Sequence, residues 1–329
     1  MDSLIFAINA VAPIIIMVVI GYLLKCAGFV NADLARAMNK LVFRFFLPVM
    51  LFLNVYNISA ISDVDLSYVL YAIVAVLAVF FASIPAVMAL TKDSPKRAAL
   101  LQCTFRSNYA LIGIPLAASL FGDAGVSVAA LLSAFSIPAF NVLAVISLSV
   151  FRDGGERPSV KSILIGIAKN PLIQAVLLGV LALGVRALFV EWGITFRISD
   201  VEPLMKVLKY LSDLATPIAL IVLGAQFEFS AISSLKREII FGTVMRTVIV
   251  PLVGLGVALL FFRNLFGGAE FAAFVALFAT PVAVSSVPMA QEMDADVTLA
   301  GQLVVWTTVI SSVTVFLASF LLDLAGVFG

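Results

Sequence analysis

Two stretches of this chain carry arginine, asparagine, serine, glycine and proline in a spacing suited to holding a small charged solute. They are residues 106–123 (RSNYALIGIPLAASLFGD) and 279–296 (ATPVAVSSVPMAQEMDAD). Laid on one another, they place Pro115 on Pro288, Asp123 on Asp296, Gly113 on Ser286 and Asn108 on Pro281. Each lies in an otherwise apolar span. Proline removes a backbone donor and crowds the preceding turn, so breaks are predicted at 113–115 and at 285–288. Two half-helix N-termini would then end at mid-depth, where free N–H groups and the positive dipole end suit a carboxylate. The C-terminal ends of the other halves would offer carbonyls to a cation. The competing reading is a pair of kinked packing helices.

Individual side chains sharpen the first reading. Arg106 falls inside a span, where a guanidinium is costly and marks a functional site by default. It could hold one carboxylate bidentately while the helix ends take a second, which favours a dianion such as malate or malonate. It could also snorkel to the cytoplasmic surface, since it lies nine residues beyond Arg97, roughly 13 Å of helix rise. Asn108 can donate and accept, either to substrate or across helices. Ser285 and Ser286 offer hydroxyls to a carboxylate or a sodium ion, or serve as small packing points. Asn141 and Arg246 are further anion-site candidates, with Asn54 and Gln226 as secondary polar positions. Arg44 and Asp213 each stand four residues before a matched proline, Pro48 and Pro217. The two are expected either to pair across the repeat or to leave Asp213 as a protonatable coupling group. Glu292, Asp294 and Asp296 read as a solvated turn and helix cap.

The elements that position these residues must lie in a bilayer. Of 329 residues, 63% are hydrophobic and 12% charged, and mean hydropathy is +1.18. Soluble domains are about half apolar and about a quarter charged, so this is an all-α integral membrane protein. Net charge is +1 with no basic tract, which argues against nucleic acid. Histidine is absent and Cys26 and Cys103 form no metal-spacing motif, which disfavours a hydrolase, a zinc site or any cofactor beyond a coupling ion. No GxxxxGK[ST] phosphate loop occurs. The first apolar run is too long for a signal peptide and reads as a retained span.

Ten spans are predicted, at about 4–25, 33–56, 66–91, 97–121, 126–151, 162–190, 203–229, 236–262, 270–293 and 296–325. Lys and Arg divide twelve against five between alternate connections, which predicts the richer set in the cytoplasm and both termini outside. Residues 1–151 and 162–329 read as two repeats joined by a cytoplasmic linker, 152–161 (RDGGERPSVK). Pro13, Pro48, Pro85 and Pro115 match Pro171, Pro217, Pro251 and Pro288 at offsets of 158 to 173 residues. Five spans per repeat make the second copy inverted.

The segment SNYALIGIPLAASLFGDAG resembles the N-x-x-x-x-G-x-P signature of the auxin efflux carrier family, as do LATPIALIVLGAQFE and ATPVAVSSVP…GQLVVWTTVISSVTV. The long cytoplasmic loop of the plant exporters is missing, so the chain resembles the compact prokaryotic form, whose bacterial carriers are associated with malate or malonate. The resemblance implies ten helices with crossed broken helices 4 and 9. Spans 1, 2, 6 and 7 would be a scaffold that also forms a homodimer, and spans 3–5 and 8–10 a moving transport domain. The expectation is therefore a secondary carrier of small organic anions, lying in the bacterial inner membrane and coupled to Na+, to H+ or to nothing. A cation/proton antiporter of the same fold is the nearest rival and requires acidic residues at the crossover. A non-transporting membrane receptor is the rival from another class.

Overall fold

The computed structural model describes residues 2–57, 66–151 and 160–328. Most of the expected linker 152–161 lies outside them. The described chain is helical apart from an isolated two-residue bridge. Its helices are α1 (Asp2–Cys26), α2 (Ala32–Tyr56), α3 (Ser67–Leu90), α4 (Ser94–Phe105) and α5 (Tyr109–Val150). There follow α6 (Val160–Lys169), α7 (Pro171–Glu191), α8 (Glu202–Gln226), α9 (Lys236–Phe261), α10 (Gly268–Phe278), α11 (Ser286–Glu292) and α12 (Val297–Leu324). By length and composition α2, α3, α5, α7, α8, α9 and α12 suffice to cross a membrane, seven against the ten spans expected. This is a multi-pass membrane protein.

Starts follow local chemistry. Asn31, Asp93, Asn170 and Asp296 each accept a hydrogen bond from the backbone N–H of the first turn they precede, at 2.8 to 3.2 Å. At α5 two expected spans are joined. A straight helix of its 42 residues would run about 63 Å, twice the hydrocarbon thickness. The chain breaks within it at Phe121 (φ −142°) and Gly122 (φ 56°), a backbone that only glycine adopts cheaply.

Prolines act differently from the expectation. Pro48, Pro115 and Pro251 each follow a single π-helical turn, 42–46, 109–113 and 245–249, which ends two residues before the ring. The wider turn makes room for the ring and for its missing N–H without interrupting the helix. At these three positions the helix continues past the ring.

Helix α1 runs along α8, and α2 packs on α7 and α8. On the other side α10 lies against α5 and is buried on every face from Phe271 to Phe278. Helix α12 touches both groups, packing on α1, α9, α11 and α4. The α1–α8 seam is close enough that a Cβ on Gly21 would sit 2.1 Å from the Ile221 carbonyl oxygen, and one on Gly224 1.9 Å from that of Val18. Small residues at helix crossings are how membrane helices approach each other.

Candidate functional site

Two interruptions meet in the middle of the fold. One separates α4 from α5 at 106–108, the other α10 from α11 at 279–285. They pass each other antiparallel, with Ser107 bridged to Val282. The Asn108 N–H donates to the Pro281 carbonyl at 2.9 Å and the Ala283 N–H to that of Arg106 at 3.4 Å. Ser107 and Thr280 hydroxyls share a bond of 2.6 Å. Pro281 has no N–H to return to Asn108, so the Asn108 carbonyl is left to start α5, accepting from Ile112 and Gly113. Irregular backbone at this depth survives because each break satisfies the other inside protein.

Arg106 leaves this bridge into the interior and is 4% exposed. Its Nη2 donates to Asn141 Oδ1 at 2.8 Å and to Ser285 Oγ at 2.9 Å, and its Nη1 rests on the Met289 sulfur. All three partners are neutral. Among the described residues no carboxylate pairs with it, although a buried charge without a counter-charge costs several kcal/mol. Beside it lies a cavity of about 60 Å³, against the roughly 10–15 Å³ one water needs. Arg106, Asn108, Asn141, Ser285 and Asn54 line it, with backbone of 109–111 and 283–285 at the starts of α5 and α11. The N–H groups of Tyr109, Ala110 and Leu111, in the first turn of α5, have no intrahelical partner and present donors to this space, whereas those of Ser286 and Val287 in α11 are bonded to the Ala283 and Val284 carbonyls. The side-chain NH2 of Asn108 is buried without a hydrogen-bond partner. Among the described residues no Asp or Glu lines the cavity. Chemically it is a donor-rich, positively charged chamber.

The expected breaks at 113–115 and 285–288 are therefore displaced toward the N-terminus. In the first stretch the polar Arg106-Ser107-Asn108 interrupts the helix and Pro115 lies inside α5; in the second Pro281 interrupts it and Pro288 sits in the first turn of α11. Arg106, Asn108, Asn141 and Ser285 come together. Gly113 does not join them: it packs against Ala276 and the Tyr109 ring. Pro115 faces outward, and Ser286 and Pro288 are buried in α11 away from the cavity. Snorkelling by Arg106 does not occur. Arg246 is 1% exposed and also stays off the cavity, its guanidinium pointing at backbone carbonyls.

Arg44 and Asp213 do not pair. Arg44 Nε is 3.0 Å from Glu292 Oε2, while Asp213 sits exposed on α8. The two positions match in sequence, but Arg44 rides on a π turn that swings it toward α11, and Asp213 rides on plain α-helix. Glu292, expected in a solvated turn, is a partner in this pair. Next to it Gln291 Oε1 accepts from Asn39 Nδ2 at 2.8 Å and Gln226 Nε2 at 3.1 Å, tying the last turn of α11 to α2 and α8. Sequence reading missed Asn39, Gln291 and Met289. Two amides 252 residues apart carry no local signal, and a methionine in an apolar run carries none either.

The sequence profile of the membrane transport protein family matches residues 6–319. An uncharacterized transporter of Methanothermobacter thermautotrophicus is 26% identical over 316 residues, 95% of this chain and 98% of that protein. The uncharacterized transporter YfdV of Escherichia coli strain K12, and that of Shigella flexneri, are 28% identical over 255 residues, 75% of this chain and 76% of theirs. Nearly the full length of the chain is thus shared with transporters, and the signature's Asn108 falls on the crossing itself: the chain belongs to the membrane transport protein family, the auxin efflux carriers.

Proposed function

We propose that the protein is a secondary carrier of small organic anions, of the dicarboxylate class that includes malate and malonate, working by alternating access. One observation carries this reading. Arg106 is buried beside a cavity lined with donors, and no carboxylate of the described residues neutralises it. An anion that enters supplies the missing charge. One carboxylate meets Arg106, and the second meets Asn108 and the N–H groups that open α5. The chamber is small enough to need a small solute.

The ten-span, inverted-repeat arrangement belongs to the same proposal. With the α4–α5, α6–α7 and α10–α11 passages each counted once and α5 divided at Gly122, the described helices accommodate ten passes. An inverted repeat places equivalent residues together at its pseudo-axis. Asn108 meets Pro281 and Ser107 meets Thr280, the pairs that the sequence overlay makes equivalent, which supports that symmetry. Helices α1, α2, α7 and α8 would form the scaffold, and the crossing with α3, α9, α10 and α12 the moving part. A second cavity of about 570 Å³, lined by Lys25, Arg36, Gln226, Glu228, Gln291 and Gln302, would be the cytoplasmic approach. The antiporter reading is disfavoured because, among the described residues, no acidic side chain lines the crossing chamber.

Uptake of labelled malonate and malate into proteoliposomes tests the proposal. Wild type should accumulate or exchange label, and Arg106→Ala should not, with both forms recovered at equal yield. Equal rates in the two would remove Arg106 from the site.

A further inference from the structure

The second buried guanidinium has different company. Arg246 rises from the π turn of α9, and its donors go to backbone oxygens alone. Nε donates to the Thr280 carbonyl at 2.9 Å, Nη2 to Leu277 at 2.9 Å and Nη1 to Phe105 at 3.2 Å. Phe105 closes α4, Leu277 is in the last turn of α10, and Thr280 lies just past its end. Helix C-termini carry partial negative charge and orphan carbonyls, and here two of them converge in a space closed to solvent. Three inward-facing carbonyls from two chain segments make the kind of oxygen cage in which a hard monovalent cation replaces its water. Here the Arg246 guanidinium already fills that cage.

We infer that Arg246 is a tethered cation: it fills, with a covalently held charge, the carbonyl cage where the C-terminal ends of α4 and α10 meet, so that no mobile cation is needed there, and its removal opens a site for a monovalent cation. Arg246 is then a positioning residue. It holds the two helix ends whose continuations, α5 and α11, open onto the anion chamber. The cage rests on geometry alone. Its consequence, that anion binding does not wait on Na+ or K+ at the crossing, rests on the carrier reading.

Thermal unfolding of the full-length protein in detergent, without added organic anion, tests the cage apart from transport. Chloride salts of sodium, potassium, guanidinium and N-methylglucamine are compared at constant ionic strength. Wild type should melt at one temperature in all four. Arg246→Ala should melt lower in N-methylglucamine and recover saturably in sodium, potassium or guanidinium, by about 2 °C or more. Arg246→Met, whose side chain fills the cage, should be destabilised without recovery, and Arg106→Ala should show no cation response. No saturable recovery in Arg246→Ala, or an equal sodium response in wild type, overturns the inference. Should Arg246→Ala fail to fold, Arg246→Lys keeps the question open to measurement: a folded, cation-insensitive lysine variant supports the tethered charge, and a cation-dependent one defeats it. A cation-indifferent wild type that also fails to take up dicarboxylate would sink the carrier reading while leaving the cage intact.

Discussion

Two arginines lie within one crossing, both buried and both without a carboxylate partner among the described residues, yet they face opposite kinds of surface. Arg246 is saturated by three main-chain carbonyls at helix C-termini. Arg106 stands at the other pole, beside the N-terminus of α5, held by an amide oxygen, a hydroxyl and a thioether. The difference is one of compensation. A guanidinium on negative dipole ends is already neutralised in large part; one beside positive dipole ends adds to their field. The fold balances the first cation internally and leaves the second for a guest.

Arg106→Ala should give the largest effect on transport. Losing a desolvated, charge-assisted contact costs on the order of 3 kcal/mol, or a fall of about 100-fold in uptake at subsaturating anion. Stability should hardly suffer, because the variant also removes an uncompensated buried charge. Arg246→Ala should show the reverse weighting, with a lower melting temperature from three unpaired carbonyls at about 1–3 kcal/mol each. If both variants lost stability alike and uptake alike, the two poles would not be different in kind.

Asn141→Asp sharpens the contrast with a single atom. Asn141 Oδ1 already accepts from Arg106 at 2.8 Å, so a carboxylate there becomes the counter-ion that the site otherwise lacks. Uptake should fall nearly as far as in Arg106→Ala, while the melting temperature holds or rises. A variant that still transports a dicarboxylate would show that Arg106 is not where the anion binds.

Much of this was legible before any coordinates. Composition fixed a membrane protein, the two matched stretches located the crossing, and Arg106, Asn108, Asn141 and Ser285 were singled out by being polar where polar groups are costly. What sequence reading misplaced were the consequences of proline. Pro115 carries the local signal for a break, but a single π turn absorbs the ring, and the interruption sits at Arg106-Ser107-Asn108, where side chains compete with the helix. The partners of Arg44 and Arg246 were beyond reach for another reason. Both are set by contacts more than thirty residues distant, with Glu292 248 residues away and the carbonyls of Thr280 and Phe105 34 and 141 away.

Asn108→Ala should have a smaller effect than either arginine variant. Asn108 is 5% exposed and its NH2 has no hydrogen-bond partner in the protein, so that group bears the desolvation cost of an unmade bond. Alanine relieves that cost and removes one donor to the anion. We expect a rise of about tenfold in the apparent KM for uptake, with unfolding temperature unchanged or higher. A marked loss of stability would mean that Asn108 braces the bridge through its side chain and not only through its N–H to Pro281.

The smallest effect is expected from the third cation of the spans. Arg44 is 62% exposed and its partner Glu292 12% exposed, so their 3.0 Å pair is screened on one side and worth no more than about 1 kcal/mol. It nevertheless joins α2 to α11, next to the Asn39–Gln291–Gln226 amides, and so crosses between the proposed scaffold and the proposed moving part. A contact that exists in one arrangement and must part in the other acts on the interconversion rate and leaves the anion's own contacts alone. Glu292→Gln should therefore alter the maximal exchange rate by up to about fivefold with KM unchanged, and the effect should shrink as salt is raised. A change confined to KM would place Glu292 with Arg106 as part of the chamber, and the separation between a balanced periphery and an unbalanced centre would have to be redrawn.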